Sequence, residues 1–286
     1  MKFELIYEGR SAELNELDFY DAAQAMVGFQ RSIALTTHLV INGSIITQAP
    51  ALKGARVIAR APEAGSYRIP AYILALSTGA YALGTAETDT PLGHLVYSAY
   101  DYAVQRTLGF NVDFEKSLGQ QYEDLNESGD NSFPTLTEPQ LESLSEKLEP
   151  ALIEMHRPII KSRTADVGLI KAFGTQEPFE TPLNRETYDR LLRQDRDADI
   201  SDFSAKISSY NINTFKGRAY LDQDKRPIPF QLEDTAQTAS AVARITTSLR
   251  ANAKNRFSEE SEVILSGFAN RSPTGRLKSI SVVDVE

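Results

Sequence analysis

The chain has 286 residues, with 30 Lys+Arg against 39 Asp+Glu, a formal net charge of -9 and 41% hydrophobic residues. That length holds one large domain or two ordinary ones, and that composition is rich enough to bury a core. The absence of Cys excludes a disulfide framework, a thiolate nucleophile, an iron–sulfur cluster and a Cys-ligated zinc.

Lys2 to Glu8 alternates apolar and polar residues and predicts a strand with Phe3, Leu5 and Tyr7 on one face. Glu4 and Glu8 break any apolar run, so the opening does not read as a signal peptide. Phe19, Ala22, Met26, Phe29 and Ile33 recur at steps of three and four, which predicts a helix from about Asp18 to Val40. Arg56 to Arg60 and Ser66 to Ile69 read as a hairpin across the turn at Pro62-Glu63-Ala64-Gly65. Residues 69 to 86 carry no charge. A membrane-spanning helix needs about 20 predominantly apolar residues, and this stretch is diluted by Pro70, Ser77, Thr78, Gly79 and Gly84. It reads as a buried segment, helical from Tyr72 to Leu83, with membrane action as an alternative.

A second helix is expected from Pro91 to Leu108, and a polar loop at Asn126 to Ser132. Thr137-Glu138-Pro139-Gln140 has the spacing of a capping box, opening a helix whose stripe runs Leu141, Leu144, Leu148, Leu152, Met155 and Ile159. Pro150 is expected to kink or split it. After Arg163 the pattern changes. Val167 to Phe173 reads as a strand, and Asn184 caps a short helix. Strands follow at Phe203 to Ile212, Gly217 to Leu221 and Ile228 to Leu232, then a helix from Thr235 to Lys254, then strands at Glu262 to Phe268 and Leu277 to Val285. Five strands with a helix before the fourth predict a small β-barrel.

Charge divides unevenly. Residues 164–286 hold 17 Lys+Arg and 18 Asp+Glu, the rest 13 against 21, and residues 203–258 nine against four. The acidity belongs to the first part, and the barrel has a basic middle.

No phosphate-loop, dinucleotide, zinc-protease or nucleophile-elbow motif is present, so the reading leans away from an enzyme and names no catalytic residue, metal or cofactor. His94 shares a helix face with Tyr97 and Asp101, His156 stands near a helix end where a cation is favourable, and His38 reads as helix surface. Asp195, Asp197, Asp199 and Asp202 are a carboxylate cluster lacking the glycine and closing glutamate of a calcium loop; with a divalent cation they would support a hydrolase or nuclease. Lys216, Arg218, Tyr220, Arg250 and Lys254 are the candidate nucleic-acid residues, cations interleaved with an aromatic as in barrels that bind single strands. Tyr210 and Phe215 lie among them. The competing expectation is that Phe215 and Tyr220 are core and that the cations guard sheet edges.

The layout resembles an uncharacterised bacterial family of two-domain proteins. The likeness rests on Tyr7-Glu8-Gly9, on Asp21 to Phe29 with Met26 and Gly28, and on Pro62 to Tyr67. In the second half it rests on Gly217-Arg218, Ile228-Pro229-Phe230, Ser266-Gly267 and Gly275-Arg276-Leu277. The resemblance implies an α+β domain followed by a five-stranded barrel, and a loose association with phage conflict. It carries no activity and no functional residue.

The expected fold is therefore α+β: a strand, hairpin and helix domain over 1–163 and a barrel-like domain with an inserted helix over 164–286. The expected function is that of a cytoplasmic, non-enzymatic interaction or assembly protein, working with a protein partner or as a homo-oligomer. Single-stranded nucleic-acid binding, metal-dependent hydrolysis and membrane action through 69–86 stand as alternatives.

Overall fold

A computed structural model describes residues 1–59, 67–76, 83–85, 91–114, 118, 134–173, 180–255 and 259–286. The chain forms two compact units, Met1–Leu192 and Arg193–Glu286. Arg56 to Ala59 of the expected hairpin is in place, whereas its turn at 62–65 and the polar loop at 126–132 lie outside the described residues.

The first unit is built on β1 (Lys2–Glu8). Phe3, Leu5 and Tyr7 are fully buried, as their alternation predicts. The sheet runs β2 (Ala55–Ala59), β3 (Tyr67–Leu76), β1, β5 (Val167–Phe173), β6 (Glu180–Leu183), with β4 (Leu83–Thr85) on β3. All of these pairings are antiparallel. Helices α1 (Phe19–Asn42), α2 (Pro91–Thr107) and α3 (Glu138–Met155) complete the core, followed by α4 (Arg157–Ile160) and α5 (Arg185–Leu192). Two tyrosines tie the layers together. The Tyr7 hydroxyl donates to the Met155 carbonyl at 2.6 Å. Tyr100 shares a 2.9 Å bond with Ser32 and meets the Phe3 ring edge-on, centroids 5.0 Å apart. Each ring buries its apolar body while its hydroxyl keeps a partner.

Three expectations are corrected. The helix expected from Tyr72 to Leu83 gives way to strand at both described ends: Tyr72 to Ala75 pair with β2, Leu74 to Leu76 pair with β4, and Leu83 opens β4. A short uncharged run fits a buried strand as well as a buried helix, and here Ile69, Ala71 and Ile73 are buried at every second position. Among the described residues no helix is long and apolar enough to cross a membrane. Of the kink or split expected at Pro150, the split does not occur. The helix continues to Met155 and gives way at His156, after which α4 carries Pro158 in its first turn. Finally, the division between units falls at Leu192/Arg193 instead of 163/164. Val167–Phe173 is the strand next to β1, so the segment after Arg163 closes the first sheet.

The histidines also differ from expectation. His38 is buried and its Nδ1 accepts from the Lys53 amide at 3.2 Å. His156 is fully buried, with Nδ1 donating to the Leu152 carbonyl at 2.7 Å. In the neutral ring, Nε2 then accepts from the Thr187 hydroxyl, 3.0 Å away. Burial drives its pKa down from 6.5 to about 4, against the raising effect of the Leu152 bond. The unfolded chain therefore binds a proton between those values that the folded chain refuses, and stability falls as pH drops through that window. Asp101 works in the opposite sense: burial raises its pKa from 3.8 to about 6, with the Gln105 bond opposing, so its contribution falls as pH rises. In His156→Gln, the loss of stability between pH 6.5 and 4 is expected to shrink by on the order of 2–3 kcal/mol, read as the difference from the parent in urea titrations at each pH. An unchanged slope would show that His156 titrates normally.

The second unit is a closed barrel. Its strands are β8 (Ser201–Asn211), β9 (Lys216–Leu221), β10 (Arg226–Leu232), β11 (Glu262–Arg271) and β12 (Leu277–Val285). They run β12-β10-β9-β8-β11, and β11 closes onto β12. The two-residue β7 (Asp195–Arg196) adds to β11. Helix α6 (Ala239–Lys254) is inserted between β10 and β11, and β10 runs parallel to β12. In barrel terms the order is 1-2-3-5-4-1 with the helix between 3 and 4, the connectivity of the OB-fold. Pro227 and Pro229 stand in the part of β10 that precedes its pairing with β12, which begins at Phe230. A strand tolerates proline where no ladder bond is needed. Buried Arg226 bridges the gap, donating to the Leu277 carbonyl at 2.7 Å.

Candidate functional site

Strand β9 reads Lys-Gly-Arg-Ala-Tyr-Leu, and its alternation sorts the side chains. Ala219 and Leu221 enter the barrel core, while Lys216, Arg218 and Tyr220 take the other face. Gly217 lies between them on the inner side, where the Phe230 ring occupies the space of a side chain: a Cβ there would sit 2.6 Å from that ring and 2.5 Å from the Ser209 carbonyl oxygen. Tyr210 stacks on Phe230, centroids 6.2 Å apart and planes within 6°. The aromatic pair is therefore the internal support of the outer face.

Register extends that face across three strands. Lys206, Tyr220 and Pro227 are cross-strand neighbours; so are Ser209, Arg218 and Pro229, and so are Asn211, Lys216 and Gln231. These nine positions contain three cations, one aromatic ring, two prolines and no carboxylate. Arg218 lies across the sheet, its Nη2 donating to the Pro227 carbonyl at 3.0 Å. Lys206 is held at the margin by Glu262, 3.4 Å away. Lys216 is exposed and has no carboxylate partner among the described residues. The loop between β8 and β9 adds Ile212, an exposed large hydrophobic residue.

Of the aromatics, Tyr210 and Phe215 pack against the barrel core and Tyr220 does not. Phe215 is half-buried against the core without belonging to it, and Tyr220 is half-buried away from it. The structure thus brings Lys216, Arg218 and Tyr220 together, joined by Lys206, which sequence reasoning passed over because it lies on the preceding strand. Arg250 and Lys254 are exposed on α6, a different element, which packs against β8, β11 and β12. The hydroxyl of Ser248 accepts from the Ile207 amide at 3.1 Å, and Asn252 donates to the Ile207 carbonyl at 2.9 Å. Arg244 on the same helix reaches the Val285 carbonyl.

The carboxylate cluster is dispersed into local bonds. Asp195 pairs with Arg193 at 3.0 Å, Asp197 with Arg271 at 3.0 Å, and Asp202 accepts from the Ser266 hydroxyl at 2.6 Å. Among the described residues no group of three or more His, Asp or Glu could hold a metal ion. His94 is exposed, and its helix neighbour Asp101 accepts from Gln105.

Residues 3–191 match a family model described as a domain of unknown function, DUF7946. The chain belongs to the DUF7946 family. Its second part, residues 199–286, matches the model of a family of unknown function, DUF7947. No curated protein and no solved structure matches the sequence. The two matched ranges fall within the two compact units, so the DUF7946 unit carries the sheet and helices and the DUF7947 unit is the barrel. Motif residues of the DUF7946 unit have physical roles. Asp21 accepts from Arg157 Nε at 2.8 Å and from the Ser162 amide at 2.9 Å, and Gly28 lies where α1 touches α3.

Proposed function

We propose that the DUF7947 barrel binds single-stranded nucleic acid along its β9 face. One observation carries the reading: the nine outward positions of β8, β9 and β10 hold Lys206, Lys216, Arg218 and Tyr220 and no carboxylate. This is the face that OB barrels present to oligonucleotides, between strands two and three and beside the first loop. Fold alone does not assign a ligand; charge and the half-buried Tyr220 ring on the outer face supply the chemistry. Cations follow the phosphates and an aromatic ring stacks a base regardless of its identity. Lys206 and Tyr220 are cross-strand neighbours, so one base on the ring leaves its phosphate beside a cation. Fluorescence anisotropy of labelled oligo-dT and oligo-U with the whole chain tests this. Retention at low salt that weakens steeply with added salt is expected; a flat titration at low salt rejects the proposal.

A second reading, association with a protein partner or another copy, is favoured by a separate observation on the DUF7946 unit. Phe19 is 88% exposed at the start of α1, with Leu14, Tyr20 and Val27 each more than half exposed nearby. Such grouping on a surface helix is a signature of contact surfaces. Light scattering of the parent and of Phe19→Ser/Val27→Ser checks it: a concentration-dependent mass lost in the variant supports self-association, and a constant monomer mass in both rules it out.

A further inference from the structure

The DUF7946 unit carries an open cavity of about 400 Å3 lined by Arg10, Ile159, Arg163, Ala165, Asp166 and Arg185. Three guanidinium groups face one carboxylate. Asp166 is engaged by Arg10, whose Nε donates to it at 2.6 Å, and the Arg10 Nη1 donates to the Arg163 carbonyl at 3.0 Å. Among the described residues, the side chains of Arg163 and Arg185 have no carboxylate partner. The cavity therefore holds an excess of two positive charges over an apolar floor of Ile159 and Ala165.

The backbone adds an independent sign. Arg10 and Arg163 both have positive φ, 52° and 53°. An L side chain other than Asn or Asp rarely takes this conformation, and such outliers persist where surrounding structure enforces them, often at ligand sites. Here the enforcement is visible. The Ala12 amide and Ser11 hydroxyl both donate to the Thr164 carbonyl, and the Asp166 amide donates to the Glu8 carbonyl. These bonds lace the two arginine-bearing turns together. Arg185 enters from the first turn of α5, where a cation opposes the helix dipole. Three arginines are thus held at one cavity, two in an unfavourable backbone conformation and one at an unfavourable helix end.

We infer that this cavity is a binding site for a phosphate group, free or carried as a monoester or diphosphate. Guanidinium forks match phosphate oxygens two at a time, and Arg is the residue used where such geometry is read. The site lies in the unit that does not carry the β9 face, so it is independent of the nucleic-acid proposal.

The test uses the whole chain carrying Lys216→Ala/Arg218→Ala, so that the β9 face does not contribute. Inorganic phosphate, pyrophosphate and malonate are titrated by calorimetry at ionic strength matched with sodium chloride. Pyrophosphate is expected to bind with a dissociation constant on the order of 1 mM or tighter, phosphate more weakly, and malonate least. Arg163→Gly and Arg185→Ala are each expected to weaken pyrophosphate about tenfold. Neither should lower the thermal midpoint of the free protein, since the first relieves a positive φ and the second removes a cation from a helix start. Heat indistinguishable from sodium chloride, or pyrophosphate affinity unchanged by both Arg163→Gly and Arg185→Ala, overturns the site. Equal affinity for malonate and pyrophosphate overturns the phosphate assignment.

Discussion

Gly28→Val is expected to cost the DUF7946 unit about 3 kcal/mol or more, enough to remove much of a typical domain's stability. At this point α1 crosses α3 with its backbone against that of its partner. An added Cβ would lie 2.4 Å from the Ala151 carbonyl oxygen and 3.2 Å from the Glu154 Cβ. A carbonyl inside a helix cannot turn away without breaking its own ladder, so the helices must separate. Separation loosens Phe29, Ile33, Leu148 and Leu152, all buried in that core. The neighbouring Val27 is exposed, so Val27→Ser should change stability by only about 0.5 kcal/mol. Urea titration of both variants reads the contrast, and equal midpoints would mean that the helices do not meet at Gly28.

The second large effect is on binding. Tyr220→Ala is expected to weaken single-strand affinity by about 1–3 kcal/mol, the value of one stacked base, with little change in folding because the ring lies outside the core cluster. Tyr220→Phe keeps the ring and should keep the affinity. Phe230→Ala has a different signature. It removes a fully enclosed ring and its stack with Tyr210, costing about 3–5 kcal/mol of stability. Affinity lost equally in Tyr220→Phe and Tyr220→Ala would replace stacking by hydrogen bonding through the hydroxyl.

Much of this architecture is legible in the residues. Phe3, Leu5 and Tyr7 mark a strand face that is core, although Glu4 and Ile6 on the other face are buried as well, and Leu141, Leu144 and Leu148 repeat because one helix face is core. The Thr137 capping box is present in the structure. The barrel strands follow from period-two patterns and tight turns, and the family assignment agrees with the motifs that suggested it. What was missed shares a physical cause. The run from Tyr72 lacks charge and so lacks the polar positions that distinguish a strand from a helix. His38 and His156 carry no local mark of burial, since their partners Lys53 and Thr187 are distant in sequence. The boundary after Arg163 reflects a real change in pattern, but no local residue says that Val167–Phe173 pairs with β1. At the β9 face, Lys216, Arg218 and Tyr220 are legible as alternating positions of one strand, whereas Lys206 joins only through register. The arginine cavity gathers positions 10, 163 and 185, and no spacing rule connects them.

The salt dependence of single-strand affinity tests the central proposal most directly. Three cations on the β9 face contacting phosphates give a slope of log affinity against log salt near -2, at about 0.7 per contact. Lys206→Ala, Lys216→Ala and Arg218→Ala should each reduce that slope by about 0.7, while Arg250→Ala and Lys254→Ala on α6 leave it unchanged. A slope that responds to the α6 pair and not to the β9 face, or no binding at the lowest salt, would contradict the assignment of this face as the nucleic-acid contact.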